Sequence, residues 1–287
     1  MTDVLLVAHH DRVEAAALVR ATATWLSERG HLPWMTHGDA DPLGLADLGA
    51  DRNPAEAGLV LSVGGDGTML RAVQLLQGAP VPIIGVNVGL LGYLTEVEPP
   101  ALTNALERWF AGEVAGEWEI DERLMLGVAV RHAVGDHHDH WLALNEAVIE
   151  KQEPGHTIRL LVRIDGAPFT SYAADGLIVA TPTGSTAYSL SARGPIISPR
   201  HRALLLTPVS PHMMFDRSLV LDPDEIIEVE LTGHRAAALS IDGQRATGLS
   251  EGDVVTVMPS EHVARFVRFG KLRFHQILKA KFGLADR

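Results

Sequence analysis

The run Gly64-Gly65-Asp66-Gly67-Thr68 sets a carboxylate among glycines, directly after the apolar stretch Leu59-Val60-Leu61-Ser62-Val63 and ahead of a helix-like stretch from Gly67 to Gln77. A chain that turns there sits at the carboxyl edge of a sheet, where α/β proteins bind ligands. Gly64, Gly65 and Gly67 let the backbone come close to a phosphate. Together with Thr68 they open a helix whose first N–H groups and dipole favour an anion. Asp66 has a different use. Turned toward a hydroxyl, it can accept the proton as that oxygen attacks phosphorus. The competing reading is a tight turn with Asp66 as helix N-cap. Arg71, one turn further on, is a cation available to the transferring charge. The lysines are Lys151, Lys271, Lys279 and Lys281, none followed by Ser or Thr, so the chain has no phosphate loop of the G-x-x-x-x-G-K-[ST] kind. A dinucleotide fingerprint also fails, because Leu70 stands where its third glycine belongs.

The elements that must position this turn follow from the apolar pattern. Val4 to Ala8 reads as a strand, Arg12 to Arg29 as a helix ending at Gly30, and Leu32 to Thr36 as a second strand. Asp39 to Asn53 reads as loop or short helix. Leu59 to Val63 is a strand and Val81 to Val86 the next one. Such alternation predicts a Rossmann-like parallel sheet covered by helices, assigned to residues 1-99. From about Ala115 the pattern becomes short strands separated by Gly, Pro, Asp and Asn. Strands are predicted over Met125 to Arg131, Leu142 to Glu150, Thr157 to Ile164, Ala167 to Ala173, Ile226 to Leu231, Ala237 to Ile241 and Val254 to Met258. Residues 100-270 are therefore expected to form a β-rich, sandwich-like domain. Helical spacing returns over Leu272 to Phe282, predicting a C-terminal helix within 271-287 that joins the first domain.

Composition narrows the chemistry. The 287 residues are 46% hydrophobic and 21% charged, ordinary for a globular protein with a full core. A net charge of -12 argues against a nucleic-acid backbone as partner, while leaving small anions open to backbone amides and a divalent cation. No membrane span and no signal-peptide start is expected, which predicts a cytoplasmic protein. With no cysteine, the chain has no disulfide, thiolate metal site or cysteine nucleophile.

Further along, Asn145-Glu146 and the stretch Asp175-Gly176-Leu177-Ile178-Val179-Ala180-Thr181-Pro182-Thr183-Gly184-Ser185-Thr186-Ala187-Tyr188-Ser189-Leu190-Ser191 resemble the NAD kinases almost residue for residue. The Gly-Gly-Asp-Gly turn is shared more widely, with diacylglycerol and sphingosine kinases and, more distantly, phosphofructokinases. The resemblance implies transfer of the ATP γ-phosphoryl group to the 2′-hydroxyl of the adenosine ribose of NAD, giving NADP. It implies a divalent cation, Mg²⁺ held mainly by the nucleotide, and a homotetramer or homodimer. Carried over residue by residue, it makes Asp66 the general base, with Gly67 and Arg71 beside it at the nucleotide. It places Asn145, Glu146, His156, Asp175, Thr186, Ala187, Tyr188, Ser189, Leu190, Ser191, Ser210 and Gln244 at the bound dinucleotide. Where many members carry Arg, Lys or His two positions before Asp175, this chain has Ala173, so a cationic phosphate contact implied there is missing. ATP and polyphosphate both remain open as donors, and NAD and NADH as acceptors. A lipid kinase of the diacylglycerol kinase group and a catalytically inactive nucleotide sensor are the alternatives.

Two other features invite explanation. His132, His137, His138 and His140 with Asp136 and Asp139 contain metal-ligand types, but their position between two predicted strands reads as a polar hairpin loop. Asp-Gly also recurs at Asp165-Gly166, Asp175-Gly176 and Asp242-Gly243. The first sits between alternating runs as a hairpin turn, the third reads the same way, and the second reads as a ligand position.

Overall fold

A computed structural model of the chain describes residues 1–89, 92–135, 137–270 and 273–284. Two compact units emerge, Met1–Glu122 with Ala264–Arg287, and Arg123–Val263. The first contains β1 (Asp3–Ala8), α1 (Val13–Glu28), β2 (Leu32–Trp34), α2 (His37–Ala40), β3 (Leu59–Gly64), α3 (Asp66–Leu76), β4 (Pro82–Asn87), α4 (Leu102–Phe110), α5 (Glu113–Gly116) and the start of β5 (Glu119–Arg131). The second continues with β6 (His138–Ala143), β7 (Glu146–Lys151), β8 (Ile158–Ile164), β9 (Ala167–Ala174), β10 (Gly176–Ala180), α6 (Tyr188–Ser191), β11 (Leu204–Val209), β12 (Leu219–Leu221), β13 (Ile227–Leu231), β14 (Ala237–Ile241), β15 (Gln244–Leu249) and β16 (Val254–Arg268). The end of β16 and α7 (Phe274–Lys281) belong to the first unit.

In the first unit the strands run parallel in the order β2-β1-β3-β4, and Arg265 and Phe266 of β16 add alongside Pro82 and Ile83. Val4 to Ala8 and Leu59 to Gly64 are buried on both faces, which is why they read as continuous apolar runs rather than alternating ones. Helix α1 lays Ala15, Val19, Ala23 and Leu26 on the sheet, one residue per turn. The first unit reaches beyond the boundary expected at 99/100. Leu102, Ala105 and Leu106 of α4 pack into the same core as Leu6, Leu61 and Val267, so α4, α5 and the start of β5 stay with it.

The second unit is a pair of antiparallel layers. One has the order β12-β11-β10-β7-β14-β15. The other pairs β13 with β16 and β8, β8 with β9, and β5 with β6. Leu126, Ile149, Leu160, Val179, Leu206, Val229, Leu239 and Val257 close one core from both layers. The fold class is the one expected, α/β with a parallel sheet followed by a β-rich unit. Two elements differ. The single strand expected over Leu142 to Glu150 is broken at Leu144-Asn145 into β6 and β7. The last helix spans Phe274–Lys281, while Lys271, Leu272 and residues 285–287 lie outside the described residues.

Candidate functional site

In the first unit, β3 ends at Gly64 and α3 begins at Asp66 with Gly65 as its N-cap residue, so Asp66 is not the cap. Its carboxylate reaches a different segment. The Tyr93 N–H donates to Oδ2 and the Leu94 N–H to Oδ1, each at 2.9 Å, which fixes both oxygens. Gly92 makes the approach possible, since a Cβ there would overlap Asp66 Oδ1 and Thr95 Oγ1. Asp66 and Gly65 remain partly accessible, Gly67 is exposed and Thr68 is buried.

Arg71 is more committed than its spacing suggested. Its guanidinium pairs with Asp39 Oδ1 at 2.7 Å, donates to the Ala8 carbonyl and donates to His10 Nε2 at 2.7 Å. Asp39 is buried, and its backbone N–H donates to the Thr36 hydroxyl that caps α2. Arg71 thus ties the end of β1 to α2. Another cation lies at the carboxyl ends of the strands: Arg12 donates to the Val88 carbonyl at 2.6 Å, next to Gly89.

In the second unit, the turn Leu144-Asn145-Glu146 is held by one carboxylate. Asp242 accepts from the Leu144 N–H at 2.8 Å, the Asn145 N–H at 2.7 Å and the Glu146 N–H at 3.1 Å. Asp242 and Gly243 both have positive φ, 49° and 79°, the conformation of a two-residue hairpin between β14 and β15. The Asn145 carbonyl accepts from Thr181 N–H at 2.8 Å and presses on Gly184, where a Cβ would collide with it. The Asn145 side chain is half-buried and makes no hydrogen bond among the described residues.

Glu146 is buried with one oxygen, Oε2, lacking a partner. Burial pushes its carboxyl up to about 8, and the neighbouring Asp242 charge adds to this against the Tyr188 backbone N–H. Burial also raises Asp242, with the three amides opposing. Tyr188 opens α6 and is 40% exposed, and burial followed by the charges of Glu150 and Asp175 holds its hydroxyl above the ordinary range. Asp175 pairs with Lys151 Nζ at 2.5 Å. Ser189 is buried against the Thr207 hydroxyl, 3.1 Å away, and the Thr186 hydroxyl turns back to the Thr183 carbonyl. Asn145, Glu146, Asp175 and Tyr188 thus form one polar neighbourhood of carboxylates, amide and phenol.

The chain matches the ATP-NAD kinase N-terminal domain over residues 48–114 and the ATP-NAD kinase C-terminal domain over residues 144–269. It is 38% identical to the NAD kinase of Leifsonia xyli over 98% of this chain and 94% of that protein. With the NAD kinase of Heliobacterium modesticaldum it shares 37%, over 98% of each. The chain belongs to the NAD kinase family. Among solved structures, the yeast NADH kinase complexed with NADH matches the fold with a TM-score of 0.84 at 23% identity, covering 100% of this chain and 89% of that one. An Archaeoglobus fulgidus NAD kinase in complex with ATP matches at 0.70 and 25%, covering 98% and 97%. The lipid-kinase and inactive-sensor readings find no support in these comparisons.

Within this NAD kinase, the residues singled out from sequence fall into three groups. Gly64 to Arg71 gather at the head of α3, and Asn145, Glu146, Asp175 and Thr186 to Ser191, including Ala187 and Leu190, gather on the second unit's sheet. His156, Ser210 and Gln244 are exposed: His156 in the β7–β8 loop, Ser210 at a φ of 45° directly after Val209, whose carbonyl accepts the Asp175 N–H, and Gln244 at the head of β15 two residues from Asp242. Ala173 lies in β9, where its carbonyl accepts the His212 N–H. The histidine stretch is a strand connection in which His132 contacts Asp253 (3.1 Å) and Asp139 (3.3 Å), and His137 pairs with Asp139 (2.8 Å). His138 and His140 lie in β6 itself, and Asp136 is outside the described residues. Asp242 and the Tyr93-Leu94 amides are the contributors that sequence reasoning missed. The Asp-Gly pair signalled the hairpin at Asp242, but nothing local signalled its acceptor role.

The buried Glu146 carboxyl makes stability depend on pH. Its proton affinity is raised on folding, so the stabilisation from this proton is complete below the ordinary value of 4.5 and is lost as pH rises through about 8. Glu146→Gln keeps the shape without the charge. In the ligand-free protein this variant is expected to melt at the wild-type temperature near pH 5 and above it near pH 9, by an amount corresponding to roughly 2–4 kcal/mol. An equal difference at both pH values, measured by thermal melting, would contradict the assignment.

Proposed function

We propose that this NAD kinase transfers the γ-phosphoryl group of ATP to the 2′-hydroxyl of the adenosine ribose of NAD, with Asp66 as general base. The observation that carries the reading is the Asp66 carboxylate at the head of α3, oriented by two backbone amides at 2.9 Å. In the step proposed, the ribose oxygen forms a bond to phosphorus, its proton passes to Asp66, the bond from phosphorus to the β–γ bridging oxygen breaks, and ADP leaves. The amides of Gly65 and Gly67 are assigned to phosphate oxygens, in keeping with the anion preference of a helix start, while the Thr68 N–H already donates to the Gly65 carbonyl at 3.0 Å. Asn145, Glu146, Asp175 and Tyr188 are assigned to the dinucleotide. Asn145 supplies donors and an acceptor, the carboxyls face hydroxyl or amide groups, and Tyr188 gives a flat face for a base. His156, Ser210, Gln244 and Thr186 to Ser191 are assigned to its margins.

A divalent cation, Mg²⁺ in this proposal, would neutralise charge on the transferring phosphoryl group. Among the described residues no three His, Asp or Glu side chains gather as a ligand set, and both Asp66 oxygens already accept amides. In this proposal the cation is held mainly by the nucleotide's phosphates. Arg71, spent on Asp39 and Ala8, is assigned to shaping the site, and Arg12 is the more available cation. A homotetramer or homodimer in the cytoplasm completes the proposal. Among the described residues no helix is long and apolar enough to cross a membrane.

The test is NADP formation by purified protein from NAD, with ATP and with polyphosphate as donors, beside NADH and a lipid alcohol as acceptors. NADP produced with ATP is the expected result. Phosphorylation of the lipid alcohol alone, or turnover with neither acceptor, would overturn it.

A further inference from the structure

We infer that Arg268, Phe274 and Lys281, from the C-terminal part of the chain, are positioning residues for Asp66. The inference rests on the proposed role of Asp66 as base. The orientation of that carboxylate depends on the Tyr93 and Leu94 amides, so whatever fixes residues 92–94 also fixes the base. Residues from the end of β16 and from α7 both contact this short segment. From β16, Arg268 Nη1 donates to the Leu94 carbonyl at 2.9 Å. Arg268 is itself pinned by Asp121 at 3.2 Å and Glu96 at 3.8 Å, and both carboxylates are buried. Glu96 also accepts the Phe269 N–H at 3.0 Å. From α7, the Phe274 ring lies 6.4 Å from the Tyr93 ring at an interplanar angle of 45°, and Lys281 Nζ stands 4.4 Å from the centre of the Tyr93 ring.

Ile277 is the buried residue of α7, and Phe274 and Lys281 both contact the Tyr93 ring. A cation over a ring and a tilted ring pair each contribute modestly to stability. Their leverage is positional, since the Tyr93 backbone carries one of the two amides on the base, and small displacements of a catalytic group are costly in rate.

The test uses the full-length enzyme with Phe274→Ala, Lys281→Ala and the double variant, each also combined with Asp66→Asn. The double variant is expected to lower kcat about tenfold with the NAD KM within about twofold of wild type. Its melting temperature is expected within about 2 °C of wild type. In the Asp66→Asn background the same pair should leave residual turnover unchanged, because there is no base left to misplace. An unchanged kcat in the double variant, or an equal loss with and without Asp66, would overturn the inference. Should the double variant fold poorly, Lys281→Met keeps most of the unbranched side chain and removes the charged amine. It should lower kcat about threefold with a wild-type KM, and no loss in that variant counts equally against the inference. Wild-type turnover in Asp66→Asn itself would instead remove the assigned base, an outcome distinct from failure of the α7 contacts.

Discussion

Asp66→Asn is expected to lower kcat by about 10²- to 10⁴-fold while leaving the NAD dissociation constant within about twofold, because the substitution removes a proton acceptor and little else. The amide side chain matches the carboxylate in shape, and its remaining oxygen can still accept one of the two backbone donors. Its Nδ2 then faces the other amide, a local mismatch of two donors at what was a 2.9 Å hydrogen bond. Residues assigned to the dinucleotide belong to the second unit and keep their own hydrogen bonds, so binding is not expected to follow turnover. Steady-state rates beside a direct NAD titration separate the two. Turnover at the wild-type rate would remove Asp66 from the mechanism, and loss of binding in step with kcat would make its role structural.

The candidate site was legible wherever the signal was local. Strand Leu59–Gly64 and the helix after it were readable because an apolar run meets glycines and then a 3.6-residue period, and the structure moves each boundary by only a residue. Asp165-Gly166 was equally readable, with φ of 50° and 75° and Ile164 paired with Ala167 across the turn. What escaped was what distant backbone decides. The partners of Asp66 lie 27 and 28 residues away and are peptide N–H groups, which every non-proline residue carries, so no residue type marks them.

Leu142 to Glu150 failed as one strand for a related reason. The polar pair Asn145-Glu146 alone does not end a strand, and the interruption at Leu144-Asn145 comes from Asp242 and Thr181, which bind that backbone from 36 to 98 residues away. Arg71 shows the converse. Its spacing put a cation near the phosphate turn, but Asp39, in a stretch with no clear period, had already claimed it. The unit boundary was misplaced because α4 is short and strongly two-faced. Only the fold shows that its apolar face closes the core begun by β1 and β3.

Asp242→Ala is expected to combine the second large effect on catalysis with the largest effect on stability. Three N–H groups, two of them in buried hydrogen bonds, lose their acceptor at once, and hydrogen bonds to a charged acceptor are worth about 1.5–3 kcal/mol apiece before their mutual dependence is allowed for. Burial of the carboxylate offsets part of this, as its raised pKa records, so the expected net loss is about 3 kcal/mol. The catalytic consequence follows from which backbone is released. Residues 144–146 carry the side chains of Asn145 and Glu146, and the Asn145 carbonyl also anchors Thr181 at the head of the loop leading to Tyr188. Loosening that turn should raise the NAD KM by about 10- to 100-fold while the KM for ATP stays near wild type, because the phosphate turn belongs to the other unit. Asp242→Asn tests the same idea more gently. Asparagine tolerates the positive φ of this position and keeps one acceptor oxygen, so both effects should fall between wild type and alanine. Denaturant titration and the two KM values decide the matter. If both variants lose stability yet keep a wild-type NAD KM, then the hairpin at Asp242 holds up the fold without shaping the dinucleotide's seat, and Asn145 and Glu146 must owe their orientation to β7 alone.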